Sequence, residues 1–287
     1  MKQDSKKKKV RKGKQASLAR HKPSPNPAMG FWEAQGNAAR GALASATKVP
    51  FWKAAVYDLL MLFLLYVIIS SAYALIYHAM SPILPELDRI EGLKMLQDPS
   101  YEDAYINIAP QVYSAIKSAG AIVLVSYVLG VFVFSLFSLK AWLIARGQKF
   151  APGLLKKAFL TNLVWFTGWF IVATVFLGFL NEIGFLLTPL IILFFLISDM
   201  VLRSVMGSEG IFMAMRKALI MSASRFQEFL LASVIIFFAS TVSFLATGAV
   251  AYFLKFTGFA MLALLLAFVM GFARNFFIRI VGSAGQP

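Results

Sequence analysis

The sequence is organised around a pattern that occurs twice. Residues Gly147–Gly178 read GQKFAPGLLKKAFLTNLVWFTGWFIVATVFLG, and sixty residues later Gly207–Phe238 read GSEGIFMAMRKALIMSASRFQEFLLASVIIFF. In both stretches a glycine precedes a pair of basic residues, Lys156-Lys157 or Arg216-Lys217, and an apolar run follows. This order predicts a basic amphipathic helix that leads into a membrane-spanning helix.

A third, shorter copy precedes the first long apolar run. Arg40-Gly41-Ala42-Leu43 repeats the spacing of basic and apolar residues and is followed by Trp52. Self-similarity at regular positions is typical of proteins built from stacked structural units. The pattern therefore predicts a threefold internal repeat, with an amphipathic helix on the membrane surface in each unit.

The composition places this chain in a bilayer. Of its 287 residues 59% are hydrophobic, whereas about 45–50% is usual in a soluble domain. About 20 residues at 1.5 Å each cross the roughly 30 Å of hydrocarbon in a membrane. Six apolar runs have this length, and together they predict an all-α integral membrane protein with a six-helix membrane domain at residues 54–280: Ala54–Tyr77, Tyr113–Leu139, Ala158–Leu180, Gly184–Leu202, Phe229–Leu254 and Gly258–Ile280.

The basic residues predict which way the chain is inserted. Residues 1–29 contain ten Lys or Arg and one acidic residue, which is typical of a disordered tail, and residues 30–53 predict an interfacial amphipathic helix. If this end is cytoplasmic, 24 of the 28 basic residues lie inside and only Arg89, Lys94, Lys117 and Lys255 lie outside. The positive-inside rule thus predicts that both termini are cytoplasmic, including a short tail at residues 281–287.

The basic inner face is the main candidate for binding. Lysine and arginine close to a membrane surface attract anionic lipid, and they can equally contact a protein partner. The tail contains no aromatic residue on which a base could stack, so nucleic acid is not favoured as a partner. The residues predicted to contact anionic lipid or a partner are Lys6, Lys7, Lys8, Lys9, Arg11, Lys12, Lys14, Arg40, Lys156, Lys157, Arg216 and Lys217.

The segment at residues 79–112 is predicted to be an acidic extracytoplasmic loop. Leu87, Ile90, Leu93 and Leu96 recur every three residues among acidic side chains, which predicts a short amphipathic helix within it. Two roles stay open for this loop. It caps the outer helix ends, or it forms a contact surface for a protein partner or a cationic ligand.

Few polar side chains are predicted inside the membrane. Asn162 is placed to hydrogen-bond to a neighbouring helix, and Asp199 and Arg203 are four residues apart, so they can pair on one helix face. No carboxylate, histidine or lysine is predicted at the middle of the membrane, which argues against a secondary active transporter. A passive pore or a carrier for a neutral solute remains compatible with the sequence.

Catalytic, metal and cofactor sites are not predicted. The chain has no cysteine and two histidines, and it lacks HExxH, GxSxG and glycine-rich phosphate-loop motifs. Thiol chemistry, a zinc centre and a serine nucleophile paired with histidine are therefore not expected.

The repeated segments resemble a group of prokaryotic six-span membrane proteins, and more distantly the membrane domain attached to some glycerophosphodiester phosphodiesterases. The resemblance covers residues 30–280 and rests on Arg40–Leu43, on Gly147 with Lys156–Phe159, and on Gly207 with Arg216–Leu219. It implies a membrane module without catalytic residues. The expected function is accordingly a membrane scaffold or accessory factor, and the alternative is a channel or carrier for a small neutral or hydrophobic solute.

Overall fold

The computed structural model describes residues 27–179, 181–206, 210–231 and 255–284, with single positions between 233 and 245. All regular structure in these residues is helical, which confirms the predicted all-α class. Residues 1–26 of the predicted tail and most of the predicted fifth span, Phe229–Leu254, lie outside the described residues, whereas residues 27–29, predicted as the end of the disordered tail, are helical. Eight described helices have defined ends: α1 Pro27–Ser45, α2 Val49–Met80, α3 Leu84–Met95, α4 Ser100–Ala145, α5 Pro152–Phe179, α6 Asn181–Val205, α7 Ile211–Ser224 and α8 Lys255–Ala284.

Five of these helices, α2, α4, α5, α6 and α8, are long and apolar enough to cross a membrane. Each of them covers one of the predicted apolar runs, and the five together are the helices of a multi-pass membrane protein. Their apolar side chains are largely exposed, with only 6% of the most apolar stretch of α2 buried inside the protein. That surface suits lipid, since hydrocarbon chains rather than water would surround it.

The longest helix, α4, extends well beyond its predicted span. It has 46 residues, which corresponds to about 69 Å and is more than twice the thickness of the hydrocarbon. The Asp98 carboxylate accepts hydrogen bonds from the backbone N–H of Ser100 at 2.9 Å and from its hydroxyl at 2.7 Å. Glu102 and Asp103 follow in the first turn, where negative charge complements the helix dipole. These interactions explain why the helix begins at Ser100.

Residues 79–112 form a helical hairpin where the sequence predicts a loop. The predicted amphipathic helix is α3, which packs against the first part of α4. A small core of Ile83, Ile90, Ile108 and Ala115 holds the two helices together. Leu96 lies just beyond α3 and is 80% exposed, so it does not join this core. We refer to this part of the molecule as the hairpin end.

The opposite end of the bundle is the basic end, which comprises α1, the α4–α5 connection at residues 146–151, α7 and the last turns of α8. Here α4 packs beside α2 and α5, α6 packs on α5, and α8 contacts both α6 and α2. The main hydrophobic core lies in this region and includes Trp142, Trp165, Ile197, Phe229 and Phe277. Buried polar residues are set into the same core.

The predicted interfacial helix at residues 30–53 is divided between two elements. Helix α1 ends at Ser45, and Val49-Pro50 begin α2. Ala38 and Ala42 of α1 are buried in the core shared with α8. Phe51, in the last part of the predicted interfacial helix, is 3% exposed and packs on Phe268 of α8. Because small residues on α1 permit close helix contact, this helix packs against the last span.

Candidate functional site

A group of polar side chains lies inside the bundle near the basic end. It draws on α2, α4, α5, α6 and α8, and all its members are buried except the half-buried Asp199. Polar groups in such a position need partners, because an unsatisfied group is costly away from water. We call this group the polar layer, and it consists of Asp58, Ser135, Ser138, Asn162, Asp199, Arg203 and Arg274.

Asp199 and Arg203 form the ion pair that the sequence predicts. The Arg203 Nε and Nη2 atoms donate to the two carboxylate oxygens of Asp199, each at 2.8 Å. This two-point arrangement is the strongest geometry for an arginine–carboxylate pair. Arg203 also donates from Nη1 to the hydroxyl of Ser138, and its guanidinium lies 4.2 Å from the centre of the Phe134 ring. The pair on α6 is therefore tied to α4.

A second ion pair joins Asp58 of α2 to Arg274 of α8, 216 positions apart in the sequence. The two side chains are only 4% and 3% exposed. Both ion pairs belong to the polar layer near the basic end of the bundle. Together they connect the first, second, fourth and last described spans at one level of the bundle.

Asn162 completes the polar layer from α5. Its Nδ2 atom donates to the Ser135 hydroxyl of α4 at 2.8 Å, which confirms the predicted hydrogen bond to a neighbouring helix. Its Oδ1 atom has no donor among the described residues. A cavity of about 20 Å³, lined by Ser138 and Arg203 among others, adjoins this group. That volume is sufficient for one water molecule.

Aromatic rings on α4, α5 and α6 pack together on the hairpin side of the polar layer. Phe134 and Phe166 have ring centres 5.1 Å apart, Phe166 and Phe195 6.0 Å, and Phe195 and Trp169 5.5 Å. Each ring lies one or two helical turns farther from the basic end than a residue of the polar layer on the same helix. These four residues, the aromatic layer, pack edge to face or at a tilt, as aromatic side chains prefer.

Arg146, at the end of α4, caps the C-terminus of α6. Its Nη2 atom donates to the carbonyl oxygens of Arg203 at 2.6 Å and Ser204 at 2.5 Å, and its Nη1 atom donates to that of Met206 at 3.4 Å. Burial lowers the pKa of the Arg146 guanidinium from its ordinary value, but arginine keeps its charge in proteins. The positive charge therefore compensates the negative end of the α6 dipole.

A larger cavity of about 480 Å³ lies next to Arg146, between α4, α5, α6 and α7. Lys157 of α5 and Lys217 of α7 line it together with Arg146, and none of its described lining residues is acidic. Lys217 is exposed, so the cavity reaches the protein surface. Its apolar lining comes from side chains that include Leu139, Leu143 and Leu154. We call this the basic cavity.

The other described residues that were predicted to contact lipid or a partner lie outside the basic cavity. Arg40 is exposed on α1 and hydrogen-bonds to Asn37 and Gly36 of its own helix. Lys156 and Arg216 are exposed and do not line the basic cavity. The predicted tail contacts Lys6, Lys7, Lys8, Lys9, Arg11, Lys12 and Lys14 lie outside the described residues. Among the described members of the predicted basic set, Lys157 and Lys217 thus share one cavity.

The roles of four residues at this site were not predicted from the sequence. Asp58 and Arg274 were not predicted to pair, the Ser138 hydroxyl was not predicted to accept a hydrogen bond, and Arg146 was not predicted to cap a helix. One signal for the ion pair was available. Asp58 is the fifth residue of the first predicted span and Arg274 the seventh from the end of the last, so opposite charges lie at similar depths. No comparable pattern distinguishes Arg146 from the other basic residues.

Comparisons with known protein families, with curated proteins and with solved structures find no match for this chain. Among the described residues, no group of three histidine or acidic side chains is arranged to bind a metal ion. The functional interpretation therefore depends on the geometry of the polar layer and of the basic cavity.

Proposed function

We propose that this chain is a non-enzymatic membrane scaffold or accessory factor, whose basic cytoplasmic face contacts anionic lipid or a cytoplasmic protein partner. The observation that carries the proposal is the collection of basic residues at one end of the bundle, where Arg146, Lys157 and Lys217 line one cavity. Three cations near one leaflet favour a negatively charged partner. The resemblance to a non-catalytic membrane module agrees with this function.

The proposed topology has six spans with both termini in the cytoplasm of a cell membrane. Five helices of suitable length support a multi-pass arrangement, and the apolar run Phe229–Leu254 supplies the sixth span. The placement of 24 basic residues on one side supports the orientation. The threefold repeat is part of the same proposal, since Lys157 and Lys217 occupy equivalent positions in two of its units.

A channel or carrier for a small neutral or hydrophobic solute is the second candidate. The small cavity beside Asn162 and Arg203 favours it, because polar groups there adjoin the basic cavity. Two features argue against it. The ion pairs engage four of the seven residues of the polar layer, and the rings of the aromatic layer pack against each other on its hairpin side. A solute path would require both layers to rearrange.

Reconstitution of the full chain into vesicles distinguishes these functions. The vesicles would contain equal amounts of phosphatidylglycerol and phosphatidylcholine. The lipids that stay with the protein after gentle detergent extraction would be identified by native mass spectrometry. Uptake of glycerol and of urea would be followed in the same vesicles by light scattering. We expect the protein to retain the anionic lipid in excess and to leave solute uptake at the level of protein-free vesicles.

Two results would contradict this proposal in different ways. Equal retention of both lipids would remove the role of anionic lipid and leave a protein partner as the only contact. Solute uptake that rises in proportion to the amount of protein would support the carrier instead. Asn162→Ala and Arg203→Ala variants would then show whether solute passes through the polar layer.

A further inference from the structure

We infer that the small cavity of the polar layer binds one water molecule, which donates a hydrogen bond to Asn162 and is held on its other side by Ser138 and Arg203. The cavity has a volume of about 20 Å³, and all three residues line it. A buried water typically makes about three hydrogen bonds to polar groups that would otherwise be unsatisfied. This inference concerns the interior of the bundle and does not rest on the proposed contact with lipid or a partner.

The orientation of the Asn162 amide is fixed by its neighbour on α4. The Ser135 hydroxyl donates to the carbonyl oxygen of Val131 at 2.6 Å, and this bond uses its single hydrogen. The atom of Asn162 that contacts this hydroxyl at 2.8 Å must therefore be a donor, which identifies it as Nδ2. The Oδ1 atom is fully buried and accepts from no described residue. An acceptor in this state costs free energy, so a donor is needed beside it.

The polar groups on the other side of the cavity can bind the same water molecule. Ser138 accepts from Arg203, and its own O–H has no acceptor in the described part of the chain. Arginine has five N–H groups, and Arg203 uses three of them, two for Asp199 and one for Ser138. A water molecule can thus donate to the Asn162 oxygen while it accepts from the Ser138 hydroxyl or from a remaining N–H of Arg203.

The charges that line the cavity favour water over an ion. A metal cation would bind the Asn162 oxygen, but the guanidinium groups of Arg146 and Arg203 line the same cavity and repel it. An anion would face the Asn162 oxygen, which offers no donor. Both guanidinium groups already have acceptors, Asp199 for Arg203 and the carbonyl oxygens at the end of α6 for Arg146. A neutral molecule that both donates and accepts satisfies every group.

The water molecule joins two parts of the polar layer. Asn162 and Ser135 form one hydrogen-bonded group between α5 and α4, and Arg203, Asp199 and Ser138 form another between α6 and α4. Within the described residues no direct hydrogen bond connects these two groups. With the bridging water all three helices share one network, and a fully satisfied buried network makes a core more rigid.

Radiolytic labelling of the full chain in detergent micelles tests for this water. An X-ray pulse splits bound water into hydroxyl radicals, which oxidise the nearest reactive side chain. Trp142 lines the cavity and is 6% exposed, whereas Met61 is 3% exposed and does not line it. Each oxidation rate would be divided by that of the free amino acid and measured by mass spectrometry. We expect this ratio to be several-fold higher for Trp142 than for Met61.

Two variants remove the water in different ways. Asn162→Leu keeps a similar shape and removes the acceptor, whereas Ala158→Val adds two methyl groups to a residue that lines the cavity and keeps every polar partner. We expect the oxidation of Trp142 to fall to the level of Met61 in both. Ala74→Val is the matched control, because Ala74 is exposed on α2, and it should leave the oxidation of Trp142 unchanged.

Two results would overturn the inference. If Trp142 in the wild type is oxidised as slowly as Met61, the cavity holds no water. If Trp142 is oxidised as fast in folded Asn162→Leu or Ala158→Val as in the wild type, the radicals do not come from a water bound at this site. Thermal unfolding would show whether each variant is folded. If one variant does not fold, the other variant and the comparison within the wild type still decide.

Discussion

Asp58 and Arg274 lie in the first and last of the described membrane-spanning helices, and both side chains are almost fully buried against each other. Two opposite charges in such an environment lose most of their hydration, so their mutual attraction adds little net stability. The situation changes when one partner is removed, because the other charge is then left without compensation. This pair therefore fixes how α2 and α8 associate more than it raises the overall stability.

Asp58→Asn is expected to lower the free energy of unfolding by about 3–5 kcal/mol, because Arg274 would remain buried without its counter-charge. The measurement is denaturant-induced unfolding of the full chain in detergent micelles. The matched control is Asp58→Leu combined with Arg274→Met, which removes both charges and fills the space. We expect this double variant to be closer to the wild type than the single one. Equal destabilisation of the two would show that the pairing of charges is not the cause.

The two ion pairs show where sequence reasoning succeeds for single residues. Asp199 and Arg203 are four positions apart on one helix, and helix geometry alone places them side by side. Asp58 and Arg274 become neighbours only because α8 packs against α2, and a pattern within one element does not contain that information. Lys157 and Lys217 are intermediate, since the repeated pattern selected them but could not show that they line one cavity.

At the scale of elements, α3 and α4 end in the same way with different residues. In both, the first residue after the C-cap has positive φ, 67° for Gly147 and 53° for Gln97. In both, two backbone N–H groups donate to carbonyl oxygens of the last turn. The first of these bonds runs from the Gly147 N–H to Ile144 in α4, and from the Gln97 N–H to Lys94 in α3. Glycine adopts this left-handed conformation without strain, whereas a side chain makes it less favourable.

This difference predicts opposite effects for two substitutions. Gln97→Gly should stabilise the protein by up to about 1 kcal/mol, and Gly147→Ala should destabilise it by about 1–2 kcal/mol. Gly147 has nothing within 4 Å of where its Cβ atom would lie, so any loss comes from the backbone and not from a clash. Thermal unfolding in micelles measures both effects. Destabilisation by Gln97→Gly would mean that the Gln97 side chain contributes more than its backbone strain costs.

Asp98 gives the start of α4 a dependence on pH. Hydrogen bonds from the backbone N–H and the hydroxyl of Ser100 lower the pKa of the Asp98 carboxyl. Because the folded pKa lies below the unfolded value, the stabilising effect is complete above the unfolded pKa of about 3.9 and disappears as the pH falls through the folded value. The start of α4 should thus be ordered at neutral pH and open in strong acid.

Amide hydrogen exchange at residues 100–103 measures this opening. Each exchange rate is divided by the intrinsic rate of an unprotected amide at the same pH. At neutral pH, we expect this ratio to be higher in Asp98→Ala than in the wild type, and to equal the ratio that the wild type reaches only in strong acid. Asp88→Ala on α3 is the control, since it removes an exposed carboxylate of the same hairpin end that makes no contact with Ser100. If the two variants exchange alike, the hydrogen bonds from Ser100 to Asp98 do not hold the first turn.

The sequence predicted the positions of helices better than their ends. Apolar runs located α2, α4, α5, α6 and α8, because hydrophobic length is a direct signal of a membrane span. The beginning of α4 was missed, since it depends on the hydrogen bonds from Ser100 to the Asp98 carboxylate and on a small core formed with α3. The end of α1 at Ser45 was missed for a similar reason, because packing on α8 rather than amphipathic pattern defines that helix.

At the scale of the whole molecule, the two ends of the bundle differ in charge and in packing. The basic end contains the main core, both ion pairs and the basic cavity. The hairpin end has a separate small core and an acidic surface with Glu86, Asp88 and Glu91 on α3. A membrane with a negative inner surface would favour one orientation of such a molecule, with the basic end on the cytoplasmic side.

The absence of cysteine from the sequence makes this orientation directly measurable. Met95→Cys places a single thiol at the hairpin end, where Met95 is 76% exposed, and Ala151→Cys places one at the exposed α4–α5 connection. In intact cells a membrane-impermeant maleimide should label Met95→Cys, whereas it should label Ala151→Cys only after the membrane is opened. The wild type provides the unlabelled control. Labelling of both variants in intact cells, or of Ala151→Cys alone, would place the basic cavity outside the cytoplasm, where the anionic lipid of the inner leaflet could not reach Lys157 and Lys217.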